Sequence, residues 1–151
     1  MPEIKPLRAW RYHSSVSSEL DELTSPLFDV VSERQRKILY ENPNNSVHLS
    51  VPKGDNKAES ALKTFENWKS KQIIAQDKIP GIYVYYQKFS LPGSDRIYTR
   101  KGFVCMVRIH DWDENIILRH ENTMPHSVND REELLEKTQL NVSQGRKFTK
   151  F

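Results

Sequence analysis

The chain has 151 residues, 36% hydrophobic and 28% charged, enough apolar material for one ordinary core that buries about 70% of its unfolded surface. A net charge of +3, with basic and acidic residues interspersed, is too weak a field to argue for a nucleic-acid partner. No stretch approaches the roughly 18 apolar residues of a membrane span, and the one cysteine, Cys105, excludes an internal disulfide framework and a zinc site built on thiolates. The opening "MPEIKPLRAWRYHSS" carries no apolar leader core, so the expected location is the reducing cytosol.

Ile4 to Tyr12 is short and aromatic and reads as a first strand. After the punctuation at Ser25-Pro26, Phe28 to Val31 is a brief apolar run. Ser32 followed by Gln35 has capping-box spacing and predicts a helix to about Glu41. That helix must stop before Asn42-Pro43, because the residue preceding proline resists the α region. "NSVHLSVP" alternates Val47, Leu49 and Val51 and is read as a strand.

Gly54-Asp55-Asn56 turns the chain into its longest helical segment, Lys57 to about Gln76. Ala58, Ala61, Leu62, Phe65, Trp68 and Ile73 recur at helical spacing, and the lysine-rich opposite face reads as solvated surface. Gly81 to Leu91 and Arg96 to Trp112 are β-rich and flank Pro92-Gly93-Ser94-Asp95, which predicts an antiparallel hairpin. Gly102 predicts a bulge or a close approach in its second strand. Tyr83, Tyr85 and Tyr86, with Lys88 and Arg96 nearby, read either as a half-exposed hairpin face or as a base-stacking surface. Ile116 to Leu118 predicts one more short strand. A final helix is expected from about Val128 to Gln139, capped by Ser127 or Asn129, with Asp130, Glu132 and Glu133 in its first turn. Without regular strand–helix–strand alternation, these elements predict an α+β fold, a mostly antiparallel sheet with helices packed on it.

Several stretches, in order, resemble a large bacterial and archaeal family classed as domain of unknown function number one thousand and fifteen. They are "IKPLRAWRY", "SPLFDVVS" (close to the family's usual P-P-Y-D-V-I-S), "NPNNSVHLSVP", "YVYYQKF", "TRKGFVCMVRIHDW", "IILRHENT" and an R…LL…T…N series on the last helix. Members of that family are commonly more than twice this length. Their later half carries a D-G-H-H-R motif like that of ParB-related nucleotide hydrolases and free-serine kinases, which is absent here. The resemblance ends near Ser143, where "NVSQGRKFTKF" departs from the family's N-x-S-P-I. Residues 1–143 are therefore expected to form a single α+β domain, the N-terminal part of a longer architecture, and 144–151 a poorly packed basic tail at a truncated end.

What the resemblance implies for function is nucleotide or phosphoryl chemistry in full-length members and inactivity in this chain. In "RHENT" a histidine able to carry protons near neutrality, His120, adjoins a carboxylate, Glu121. Extended neighbours point to opposite faces, so the two cannot serve each other as an acid–base pair. Arg100, Arg119 and Arg131 could converge as an anion site, Arg131 at the start of the last helix, and Asn141, from the matching series on that helix, joins them. The alternative reading makes His120 and Glu121 a tether for the last helix. Histidine spacing argues against a metal site, Cys105 reads as packed, and no sequence feature names a cofactor. The expected ligand is a phosphorylated small molecule or nucleotide. The competing function is a non-catalytic binding or regulatory module, which the ParB analogy would allow to be linked to nucleic acid.

Overall fold

The computed structural model describes residues 1–16, 20–118 and 125–142, with the backbone alone at 125–127. The architecture is α+β: β1 (Ile4–Lys5), β2 (Trp10–Tyr12), α1 (Leu20–Leu23), α2 (Glu33–Leu39), α3 (Val47–Ser50), α4 (Lys57–Ser70), β3 (Ile74–Gln76), β4 (Tyr83–Ser90), β5 (Ile97–Val104), β6 (Met106–Val107), a 3₁₀ turn at Trp112–Glu114, and α5 (Pro125–Thr138). Among the described residues the strands form three two-stranded ladders, β1–β6, β2–β3 and β4–β5, rather than one continuous sheet. The chain divides into two compact units, one made of Met1–Trp10 with Gln76–Arg119, the other of Arg11–Ala75 with His120–Phe151.

The helical unit is organised by α4. Its buried residues, Ala58, Ala61, Phe65 and Trp68, lie on one face, as the periodicity requires. Asn56 caps its start by accepting from the Glu59 N–H (3.1 Å). Phe65, Trp68 and Ile74 form the main cluster, with Tyr12, Leu49, Ile73 and Leu140 packed against it. Ala58 and Ala61 meet Leu134 of α5, small residues that let the two helices approach closely. Burial pushes the Tyr12 phenol well above its ordinary pKa; its hydroxyl donates to the carbonyls of Leu23 (2.9 Å) and Asn44 (2.7 Å).

Helix α4 ends at Ser70, six residues earlier than its apolar pattern predicts. Gln72 turns left-handed (φ 56°), the Gln72 N–H bonds Lys69 O (3.1 Å), and the Ile73 N–H bonds Trp68 O (2.9 Å). This pair of bonds is a Schellman stop made without glycine, and it releases Ile74–Gln76 to pair with β2. The predicted strand at "NSVHLSVP" is instead a helical turn, Val47–Ser50. The Asn45 side chain accepts from the Val47 N–H (2.9 Å) and its amide donates to Glu22 O (2.6 Å) and Thr24 O (3.1 Å), bending the backbone where alternation alone suggested extension. The capping box at Ser32 and Gln35 is present, and α2 follows it.

The predicted first strand is divided by Pro6 into β1 and β2. In the other unit, β4 and β5 pair antiparallel from Tyr83↔Val104 to Ser90↔Ile97, the expected hairpin. The long second strand breaks at Cys105, and Met106–Val107 pairs with Ile4–Lys5. Ile116–Leu118 is not a strand, because Asn115 takes a left-handed conformation (φ 54°) after the 3₁₀ turn and redirects the chain. Helix α5 begins at Pro125, where proline's missing N–H costs nothing. Asp130, Glu132 and Glu133 therefore lie beyond its first turn. Arg131 is seven residues into the helix, too deep for the N-terminal dipole to act on it strongly.

Candidate functional site

The register of the hairpin sorts its side chains onto two faces. One carries Tyr83, Tyr85, Gln87 and Phe89 opposite Val104, Gly102, Arg100 and Tyr98. The other carries Val84, Tyr86, Lys88 and Ser90 opposite Phe103, Lys101, Thr99 and Ile97. Tyr83 is tied down at one end, its hydroxyl bonded to the Asp77 carboxylate and accepting from the Ala9 N–H (3.1 Å). Beyond it the first face opens to solvent. Tyr85 lies over Gly102, where a Cβ would overlap its ring. The pairing at this position is unbroken, so the glycine serves a close approach and not a bulge.

Further along, Phe89 and Tyr98 stack with ring centroids 5.8 Å apart and planes 24° from parallel. Arg100 sits over Phe89 (5.4 Å) and Arg96 over Tyr98 (5.0 Å). On the opposite face Lys101 reaches the ring of Tyr86 (5.8 Å). Arg100 donates to the neutral Gln87 Oε1 (3.4 Å), and among the described residues no carboxylate pairs with Lys88, Arg96, Arg100 or Lys101. The strands themselves hold no acidic residue. This ribbon is a row of rings and uncompensated cations.

The other expected site residues fall elsewhere. Arg119, His120 and Glu121 lie outside the described residues, as does the predicted tail at 144–151. Arg131 belongs to the helical unit, Arg100 to the other. The Arg131 guanidinium is engaged on three sides: Nη1 donates to Ser50 O (2.6 Å), Nε and Nη2 to the Asp130 carboxylate, and its plane lies 4.4 Å from the Phe28 ring. Such a cation fastens α5 to α3 and has little capacity left for a ligand. Asn141 is exposed, beyond the end of α5.

Two other polar groupings were candidates. An open depression of about 320 Å³ is lined by Glu3, Lys5, Met106, Val107 and Arg108. Its carboxylate is already met by Lys5 and Arg108, each at 3.3 Å. His110 Nδ1 bonds Glu114 Oε2 (3.0 Å), and this bond, then one from the Asp111 backbone, holds the Glu114 carboxyl below its ordinary pKa. Among the described residues no three His, Cys, Asp or Glu side chains converge as a metal site, and no helix is long and apolar enough to cross a membrane.

A family model described as "Protein of unknown function (DUF1015)" matches residues 4–145, nearly the whole chain. The chain belongs to the DUF1015 family. No curated protein and no solved structure matches it. The match spans every element of this DUF1015 chain, the ring-and-cation hairpin included. Sequence reasoning noticed Tyr83, Tyr85, Tyr86, Lys88 and Arg96 but missed the partnership of Phe89 and Tyr98 with Arg100 and Arg96. Its signal was the equal distance of Phe89 and Tyr98 from the Pro92–Asp95 turn, three residues on either side, readable only once the register is known.

Proposed function

We propose that this chain is a non-catalytic binding module for a phosphorylated small molecule or nucleotide, held on the β4–β5 hairpin. The observation that supports it is Arg100: an exposed guanidinium over an aromatic ring, hydrogen-bonded to a neutral amide and lacking a carboxylate partner among the described residues. A planar guanidinium presents paired donors that match phosphate oxygens, and an adjacent ring offers a stacking surface for a base. A cytosolic location, where nucleotides are abundant, suits a protein whose one cysteine is free. Nucleotide or phosphoryl chemistry, with His120 and Glu121 as its groups, is left to longer members of the family.

A thermal-shift screen of nucleotides, phosphorylated metabolites and inorganic phosphate tests the reading. At least one nucleotide should raise the melting temperature, Arg100→Ala should abolish that rise, and Arg100→Lys should keep part of it. A screen with no response, or a response indifferent to Arg100→Ala in a folded variant, removes the hairpin as the site.

A further inference from the structure

We infer that the ligand is a polymer: the β4–β5 ribbon binds a single strand of nucleic acid, its bases stacking on Tyr85, Phe89 and Tyr98 and its phosphates meeting Arg96 and Arg100. This rests on the binding-module reading above and specifies its ligand class. Charge is the first argument. Gly81 to Val104 holds four basic residues, Lys88, Arg96, Arg100 and Lys101, against one acidic residue, Asp95 in the turn. That local excess equals the +3 of the whole chain, so the rest of the molecule is balanced and the modest global charge conceals a basic ribbon.

Spacing is the second argument. Tyr85 and Phe89 stand four residues apart on one face, about 13 Å at the rise of an antiparallel strand. One base cannot cover both positions. A strand of several nucleotides can, with one base on Tyr85 and another at the Phe89–Tyr98 pair, where Arg100 and Arg96 stand over the rings and can meet the phosphates. Gly102 fits the same purpose, since the absence of a Cβ lets the Tyr85 ring lie down over the partner strand. Tyr85 remains 42% exposed in that position, a surface on which a base can stack.

The other occupants fit less well. A second copy would bring two basic ribbons together with no acid on either pair of strands to compensate them. An acidic peptide would answer the cations and leave the rings unused. Stacking on rings and phosphate neutralisation together favour nucleic acid.

Fluorescence anisotropy of the intact chain with a labelled 12-mer of oligo(dT), against dTMP as competitor, tests the inference. The oligonucleotide should bind at least about tenfold tighter than dTMP, since each added stacked base contributes about 1–3 kcal/mol, a factor of about 5 to 150. Neutralising two phosphates through Arg96 and Arg100 predicts a log–log salt slope of about −1.4, halved in Arg100→Ala. Tyr85→Leu and Phe89→Leu keep apolar bulk but remove the aromatic face, and each should weaken binding about tenfold with the melting temperature nearly unchanged. If dTMP binds in an Arg100-dependent way and lengthening adds nothing, the polymer inference is overturned while the binding-module reading stands. If neither binds, the polymer inference falls, and the thermal-shift screen decides the binding-module reading by itself. If polyglutamate binds as tightly as oligo(dT), charge alone is at work and the nucleic-acid assignment is wrong.

Discussion

Tyr85 and Gly102 face each other across the β4–β5 ladder so closely that a Cβ at residue 102 would occupy the space of the tyrosine ring. Glycine in a strand is ordinarily unfavourable, and alanine would normally improve the strand. Here Gly102→Ala should instead destabilise by about 1 kcal/mol, the scale of a lost cross-strand pair. In Tyr85→Ala the same change should be neutral or stabilising. A double-mutant cycle by urea denaturation measures the coupling; additive effects would mean that the ring does not need the glycine.

Asn45 is fully buried, and its side chain makes three hydrogen bonds to backbone groups of Glu22, Thr24 and Val47. Asn45→Ala would leave the buried Val47 N–H without its acceptor, remove a donor from the part-buried carbonyls of Glu22 and Thr24, and empty a fully buried side-chain position, so it should cost about 3 kcal/mol. Asn45→Asp replaces a donating amide with an acceptor aimed at two carbonyl oxygens and should be worse still. Chemical denaturation of both variants checks the order.

This asparagine also shows where sequence reading stopped. Period-two alternation in Val47, Leu49 and Val51 fits a strand, and only the local bonds of Asn45 reveal a helical turn. The end of α4 was hidden for a similar reason, because its stop signal is Gln72 in a conformation usually left to glycine. The features legible beforehand were those with a strong local cause: the Ser32–Gln35 capping box, the apolar face of α4, and two β-rich runs around a Pro-Gly turn. The site was half legible. Charged and aromatic residue types could be noticed, but the pairing of Arg100 with Phe89 depends on register, and the sorting of Arg131 into the helical unit depends on tertiary contacts.

Stability should fall on mild acidification through His48. Burial is the main cause that lowers its pKa from the ordinary 6.5, with the Lys53 charge adding to the effect and a hydrogen bond to Asn42 O (3.1 Å) opposing it. Between the depressed folded value and 6.5 the unfolded chain binds more protons at this site than the native one. The contribution of His48 is therefore complete above pH 6.5 and is lost as pH falls through that window. His48→Gln should flatten the pH dependence of the melting temperature between about pH 7 and pH 5. A dependence identical to that of the parent chain would assign the slope to other groups.

Arg131, seven residues into α5, gives a test of whether it serves an anion site with "RHENT" or a tether within the helical unit. Its guanidinium joins Ser50 O, the Asp130 carboxylate and the Phe28 ring, so it links α5 to α3 and to the turn that carries Phe28. Arg131→Ala should lower stability by about 2 kcal/mol, because it removes a charged hydrogen bond to a carbonyl together with the contact over Phe28. Arg131→Lys should recover less than half, since an ammonium cannot hold the fork and the ring together. Neither change should affect the nucleotide-induced thermal shift, which is assigned to Arg100. His120→Ala, measured beside them, separates the roles directly. If Arg131→Ala leaves stability intact but abolishes the ligand response, and His120→Ala does the same, the anion site lies with these residues and the hairpin assignment fails.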